Sequence, residues 1–386
     1  MQKTIFRKNL QQAVAKRLKF SPCVALLGAR QVGKTTLARQ FAASRGGNVV
    51  LFDLEKHETR ARLSESPDAV LSAQDGLVII DEIQRVPKLF EVLRPVCDEP
   101  GRKASFLLLG SASWELVRGV SESLAGRISF VDVSGFSIEE VEAGRMNQLW
   151  LRGGFPRAFL ARNDEEREIW HADFFRTFVE RDVRELSERM PAETFARFWK
   201  MLAHCHGQVW NATELARSLS VSQPTTVRYR DLLEGMFMLR VLQPWYANLG
   251  KRLGKSPKIY FRDSGLLHHL LGISNMPGLQ THPRYGASWE GFALEQTLTA
   301  HGGRDAWFYG TQGGAELDLL LLRKGKMWGF EFKCADVPST TKSMHVAMRD
   351  LELAHLYVVY PGEHRWGLDK RITALPLRDI ASVRFT

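Results

Sequence analysis

Five short apolar runs divide residues 23–133: VALLG at 24–28, VVLFD at 49–53, LVIID at 77–81, FLLLG at 106–110 and ISFVDV at 128–133. Almost every position within a run is apolar, as in strands covered on both faces, and polar or helix-like stretches separate the runs. The pattern predicts an α/β domain built on a parallel sheet. From about Ser137 to Glu188 the periodicity becomes helical, with Phe174, Phe178 and Val183 spaced to line one face of a lid or linker bundle.

Residues 195–250 predict several short helices. Residues 256–386 return to mixed α/β, with strands expected at Ala306–Tyr309, Leu317–Leu322, Met327–Phe332 and Leu356–Tyr360. Breaks near Gly135, Pro191 and Pro257 divide the chain into segments 1–136, 137–190, 191–256 and 257–386. A chain of 386 residues is long for a single core, in keeping with several units.

No apolar run approaches the ~18 residues of a membrane span, and the N-terminus lacks the apolar stretch of a secretory signal. Four scattered cysteines form no CxxC pair, which fits a reducing cytosol. The net charge of +10 has two readings: attraction to a polyanion, or basic residues spread for solubility.

The chemistry begins at Gly28-Ala-Arg-Gln-Val-Gly33-Lys34-Thr35, which fits GxxxxGK[ST] between an apolar run and a helix-like stretch. Such a loop turns a strand into a helix whose free N–H groups face phosphate oxygens. Gly28, Arg30, Gln31, Val32, Gly33, Lys34, Thr35 and Thr36 would line an ATP site, with Lys34 on the β and γ phosphates and the Thr35 hydroxyl on Mg²⁺. The run Leu77–Ile80 ends in Asp81 and Glu82; Asp81 suits the outer shell of Mg²⁺ and Glu82 a general base for the attacking water.

Two further residues carry alternatives. Ser111, after the run ending at Gly110, contacts the water or γ-phosphate, or else it or Ser113 caps the helix beginning near Trp114. Arg127 serves as an arginine finger on a neighbour's nucleotide, or as a surface ion-pair partner.

The set GARQVGKTT, LVIIDEIQ, LLLGSAS and SLAGRI, with RGGFP at 152–156 and FVERDV at 178–183, resembles the AAA-type ATPases of the AAA_14 group. The segment at 248–273, NLGKRLGKSPKIYFRDSGLLHHLLGI, is similar to the DUF4143 region that group carries. The resemblance implies an ATPase core of the ASCE type, with Glu82 as base, Ser111 as a sensor-like residue, and assembly into a homo-oligomer, a ring among the options.

Residues 211–235 have helix-turn-helix form, with Leu215, Ala216 and Leu219 inward, a turn at Ser220–Ser222 and Pro224 in the first turn of the second helix. Thr225, Thr226, Arg228, Tyr229 and Arg230 would project from that helix towards DNA. The basic stretch with Lys251, Arg252, Lys255, Lys258 and Arg262 follows. A helical module used only for packing has the same pattern.

In the last segment, Glu290 lies on an expected amphipathic helix, Asp318 opens a strand, and Glu331 and Lys333 form an ExK. Two apart on a strand, Glu331 and Lys333 face one site together with Asp318, where Asp318 and Glu331 would hold Mg²⁺. This resembles the PD-(D/E)xK nuclease superfamily, including the Holliday-junction resolvase branch with its helical glutamate, although Glu316-Leu-Asp318 lacks the Pro-Asp form. Trp307, Phe308, Tyr309 and Trp328 stack on bases or fill the strand core.

Together these features predict an ATP-dependent protein acting on DNA ends, forks or junctions, with a fused Mg²⁺-dependent nuclease or a silent relic of one. The competing reading is a regulatory ATP switch directed at a protein partner or at transcription.

Overall fold

The computed structural model describes residues 4–110, 124–183, 191–245, 256–311 and 313–386. The chain divides into two compact units, Met1–Gly135 with Gly235–Phe237, and Phe136–Glu234 with Met238–Thr386.

In the first unit all five apolar runs are strands: β1 (Cys23–Leu27), β2 (Val49–Asp53), β3 (Gly76–Asp81), β4 (Ala104–Gly110) and β5 (Ile128–Asp132). They form one parallel sheet in the order β2-β3-β4-β1-β5. The three central strands β1, β3 and β4 are buried almost throughout, which is why they read as continuous apolar runs. Because all strands run the same way, the carboxyl ends of β1 and β3 lie at one edge with β4 between them. Helix α1 (Lys8–Leu18) precedes the sheet, α2 (Lys34–Arg45) follows β1, and α3 (Leu89–Asp98) buries Leu89, Phe90, Leu93, Val96 and Cys97 in the core.

The second unit opens with α4 (Met146–Arg152) and α5 (Asp164–Thr177), the latter running into a π-turn at Phe178–Asp182. Phe174, Phe178 and Val183 are all buried, as their spacing predicts. Next come α6 (Ala192–His204), α7 (Ala212–Leu219) and α8 (Gln223–Gly235). An antiparallel sheet of β6 (Gln208–Val209), β7 (Leu239–Leu242) and β8 (Lys258–Phe261), in the order β6-β8-β7, completes this module.

That sheet corrects the boundary expected near Pro257. Strand β8 is the central strand beside the helix-turn-helix and does not begin a separate domain. All four of its residues are buried, so separating it from β6 and β7 would expose Ile259, Tyr260 and Phe261 and leave the Lys258 ammonium uncovered.

The family-like segments around 152 and 263 meet here. Asp263 caps α9 (Ser264–Leu270), accepting from Leu266 N at 2.8 Å and from Gly154 N at 2.7 Å. A side chain at Gly265 would overlap the Arg152 carbonyl, so only glycine permits the two segments to approach this closely. Burial pushes the Asp263 carboxyl up to about 6, against the lowering effect of these N–H donors.

The remaining sheet contains β9 (Ala306–Gly310), β10 (Glu316–Arg323), β11 (Lys326–Phe332), β12 (His355–Tyr360), β13 (Trp366–Asp369) and β14 (Ile372–Pro376), in the order β13-β14-β12-β11-β10-β9. The pairs β11–β12 and β12–β14 are parallel and the others antiparallel. Helix α10 (Tyr285–His301), expected to be amphipathic, is buried from Ser288 to Leu298 except at Glu290. It packs against β11, α9 and the turn at Leu377–Ser382, which leaves it little solvent-facing surface. Phe308, Tyr309 and Trp328 are core residues of this sheet. Among the described residues no helix is long and apolar enough to cross a membrane.

Candidate functional site

The loop joining β1 to α2 has the backbone that phosphate binding requires. Gln31 (φ 62°) and Gly33 (φ 96°) adopt left-handed conformations that curl the chain around its own N–H groups at the start of α2. A side chain at Gly28 would overlap the Val133 carbonyl, so the close approach of β5's end requires glycine. Lys34 is buried, its ammonium donating to the carbonyls of Gly28 and Ala29, both at 2.8 Å. Burial pulls that ammonium down to about 8, although Glu82 and Asp81 oppose the shift.

The Thr35 hydroxyl donates to Asp81 Oδ2 at 2.7 Å, joining the first turn of α2 to the end of β3. Burial raises the Asp81 carboxyl above its ordinary range, and the bond from Thr35 works the other way. Glu82 follows with a left-handed backbone (φ 56°) and accepts from Gln84 Nε2. Val32 is buried, Arg30 half-buried, and Gln31 and Thr36 exposed. The curled N–H groups, the ammonium and the hydroxyl–carboxylate pair fit a nucleotide's phosphates with their divalent ion.

Sequence reasoning missed Arg7. Its guanidinium is buried and donates to the carbonyls of Ser134 and Gly135, both at 2.9 Å, fastening the lead into α1 to the chain beyond β5. Ser111 lies outside the described residues. Arg127 forms a bidentate pair with Asp98, at 2.6 and 2.7 Å, and its carbonyl accepts from Cys23 N. It therefore sits at the amino edge of the sheet, opposite the phosphate loop, paired with Asp98.

In the helix-turn-helix, Leu215, Ala216 and Leu219 are buried and Ser220 adopts the left-handed turn. Ser222, Gln223, Pro224 and Arg228 face solvent, and Thr225 is half-buried. Two expected contacts are corrected: Thr226 and Tyr229 are 0% and 1% exposed. With Leu233 they form the inward stripe of α8, and the Thr226 hydroxyl donates to the Ala212 and Gln223 carbonyls. Arg230 is half-buried, paired with Asp231 and placed over the Trp210 ring.

Lys251, Arg252 and Lys255 lie outside the described residues. The rest of that basic stretch is also corrected: Lys258 is buried and Arg262 pairs with Glu295, so neither belongs to a basic surface.

Lys258 instead joins the acidic cluster. Its ammonium lies 3.7 Å from Glu290 Oε1 and 3.8 Å from Asp318 Oδ1. Tyr260 OH donates to Glu290 Oε1 at 2.5 Å, Phe332 N to Asp318 Oδ2 at 2.9 Å, and Lys333 lies 2.6 Å from Glu331 Oε1. The expected residues Glu290, Asp318, Glu331 and Lys333 are thus brought together, with Lys258 and Tyr260 added by β8.

Burial and then the Asp318 charge push Glu290 up to about 8 and Glu331 up to about 7. Burial works against the Lys258 ammonium, but Glu290 and Asp318 beside it hold it above the ordinary lysine value. Among the described residues no set of three Asp, Glu, His or Cys side chains is arranged to hold a metal ion. Most of the cluster's oxygens already face an ammonium, a hydroxyl or a backbone N–H. As folded, this donor set does not fit Mg²⁺.

The parallel sheet with a phosphate loop after β1 and paired acids after β3 defines a P-loop ATPase of the AAA type. Residues 21–142 match the AAA domain family AAA_14, residues 144–276 a domain of unknown function, DUF8612, and residues 285–380 another, DUF4143. Over 376 residues the chain is 46% identical to "Uncharacterized protein Rv2008c" of Mycobacterium tuberculosis H37Rv, covering 97% of this chain and 85% of that one. The same figures hold for "Uncharacterized protein Mb2031c" of Mycobacterium bovis. The chain belongs to this AAA_14/DUF4143 family of ATP-binding proteins.

Among solved structures, the Walker-type ATPase PABY2304 of Pyrococcus abyssi is similar at TM-score 0.49 and 15% identity, covering 69% of this chain and 96% of that one. The RuvB Holliday junction branch migration motor of Thermotoga maritima is similar at TM-score 0.33 and 19% identity, covering 61% and 90%.

Proposed function

We propose that this chain hydrolyses MgATP to drive an action on DNA. Lys34 contacts the β and γ phosphates, Thr35 and Asp81 hold Mg²⁺ through hydroxyl and outer-shell carboxylate, and Glu82 polarises the attacking water. The bond from Thr35 to Asp81 supports this assignment, because it brings the two Mg²⁺-directed groups together from separate elements.

The observation that carries the DNA reading is the helix-turn-helix of α7 and α8, whose outward face presents Ser222, Gln223, Thr225 and Arg228. Small polar residues and an arginine on a second helix suit phosphate and base-edge contacts. The chain's +10 charge acts in the same direction. Arg127, on the sheet edge away from its own phosphate loop, suits contact with a neighbouring subunit's nucleotide and so a homo-oligomer. The scattered cysteines suit a cytosolic setting.

Fluorescence anisotropy with labelled duplex, single-stranded, forked and four-way-junction DNA at two salt concentrations tests this reading. Binding that weakens steeply with salt is expected. Absence of binding to every form at low salt would overturn it.

A second reading, an ATP switch with a silent nuclease-like region, is favoured by the Lys258 ammonium within the acidic cluster. Site-specific duplex binding without any DNA effect on hydrolysis would mark it.

A further inference from the structure

Lys258 is out of place for a surface-strand lysine. It is the first residue of β8, central in the helix-turn-helix sheet, yet its side chain is 7% exposed. Burying an ammonium is costly unless anions surround it. Here Glu290 from α10 and Asp318 from β10 do so, at 3.7 and 3.8 Å.

Three buried carboxyl groups, Glu290, Asp318 and Glu331, share two ammonium groups, Lys258 and Lys333. One acceptor has no partner: Glu331 Oε2 is buried without a hydrogen bond, on a residue only 6% exposed. Lys333, at 2.6 Å from Glu331 Oε1, leaves that second oxygen without a partner.

We propose that the Lys258 ammonium is a resident cation occupying the place between Glu290 and Asp318 that a divalent ion would take, so that the cluster binds no such ion while Lys258 is present. Lysine and metal then compete for the same oxygens. Tyr260, two residues along β8, engages the same carboxylate, its hydroxyl donating to Glu290 Oε1 at 2.5 Å.

This inference deepens the reading of the acidic cluster and does not depend on DNA stimulating hydrolysis. The two fail separately, one in metal titration and the other in DNA binding.

The test is Mn²⁺ titration of the nucleotide-free full-length chain, following free Mn²⁺ by electron paramagnetic resonance. Four proteins are compared: wild type, Asp318→Asn, Lys258→Met and the Lys258→Met/Asp318→Asn double variant. Any Mn²⁺ held at Thr35 and Asp81 is common to all four and cancels. Wild type and Asp318→Asn should titrate alike. Lys258→Met should gain one further Mn²⁺, lost again in the double variant and bound roughly a hundredfold more tightly than any Asp318-dependent ion of the wild type.

A wild-type chain that already binds an Asp318-dependent Mn²⁺ as tightly as Lys258→Met overturns the proposal. Lys258→Met should also melt below the wild type because it leaves two buried carboxylates facing each other, and Mn²⁺ should restore its melting temperature. A loss of stability that Mn²⁺ does not restore overturns the proposal equally.

Discussion

The Thr35 hydroxyl donates a 2.7 Å hydrogen bond to Asp81 Oδ2 across the carboxyl edge of the sheet, although β1 and β3 are not neighbours. The contact works because α2 begins directly after the phosphate loop and its first turn reaches over β4. Two residues 46 positions apart become one Mg²⁺-directed pair.

Lys34→Ala should abolish nucleotide binding, because no other ammonium is carried by the loop. Glu82→Gln should bind ATP and hydrolyse it at least about a hundredfold more slowly, the usual size of a lost general base. Fluorescent-nucleotide binding and single-turnover hydrolysis check both, and near-normal turnover in Glu82→Gln would remove Glu82 from the role of base.

Gly28→Ala should force the end of β5 and the phosphate loop apart at the Val133 carbonyl. The expected loss is about 1–3 kcal/mol of stability, the usual cost of overpacking, together with weaker nucleotide binding. Denaturant unfolding and a nucleotide titration measure the two effects; a variant unchanged in both would show that the contact yields freely.

Arg127→Ala should still bind ATP but hydrolyse it slowly if the arginine serves a neighbour's site. Mixing it with Lys34→Ala should restore part of the rate, since each variant supplies what the other lacks. Full activity in Arg127→Ala alone would leave this residue with its Asp98 pair and nothing more.

Arg228→Ala should weaken DNA binding and reduce the slope of affinity against salt by about one ion. Tyr229→Phe should leave DNA binding as it was, because the ring is buried between Phe195 and Phe198. Equal losses in the two variants would indicate that α8 is not the DNA-facing helix.

Acid should destabilise the second unit. Burial pulls His171 and His206 down to about 3 and His268 to about 4, from an ordinary 6.5. With the folded values depressed, the unfolded chain binds more protons below pH 6.5. Stability from these groups is present above that pH and is lost as pH falls towards 4, at roughly 1.4 kcal/mol per pH unit for each histidine. Denaturant midpoints from pH 7.5 to 5 follow the effect. His171→Leu, at a ring with neither nitrogen hydrogen-bonded, should flatten the slope, and an unchanged slope would contradict the assignment.

The nucleotide site was legible in sequence because its parts are local. Gly28 to Thr35 is a continuous run, and Asp81 and Glu82 end an apolar strand, so spacing alone recovers them. Lys258 was not legible, because its contact with Glu290 and Asp318 follows from how β8 pairs with β6 and β7. Sequence charge placed it on a basic surface when it lies inside.

Thr226 and Tyr229 carried a usable signal. With Leu233 they repeat at three and four residues, the inward stripe of a helix, while Arg228 falls between them on the outward side. Strands β13 and β14 escaped notice because one is short and half-exposed, with Gly367 and Asp369 breaking the apolar pattern. The Arg127–Asp98 pair joins a half-buried arginine to an exposed aspartate 29 positions apart, for which sequence holds no marker.

The most direct measurement of the central claim is steady-state ATP hydrolysis by the full-length chain, with and without duplex, single-stranded, forked and four-way-junction DNA, at two salt concentrations. An ATP-driven DNA-acting protein predicts a rate that rises with at least one DNA form and loses that rise at high salt. Steady hydrolysis with the same rate across every DNA form and both salts would contradict it.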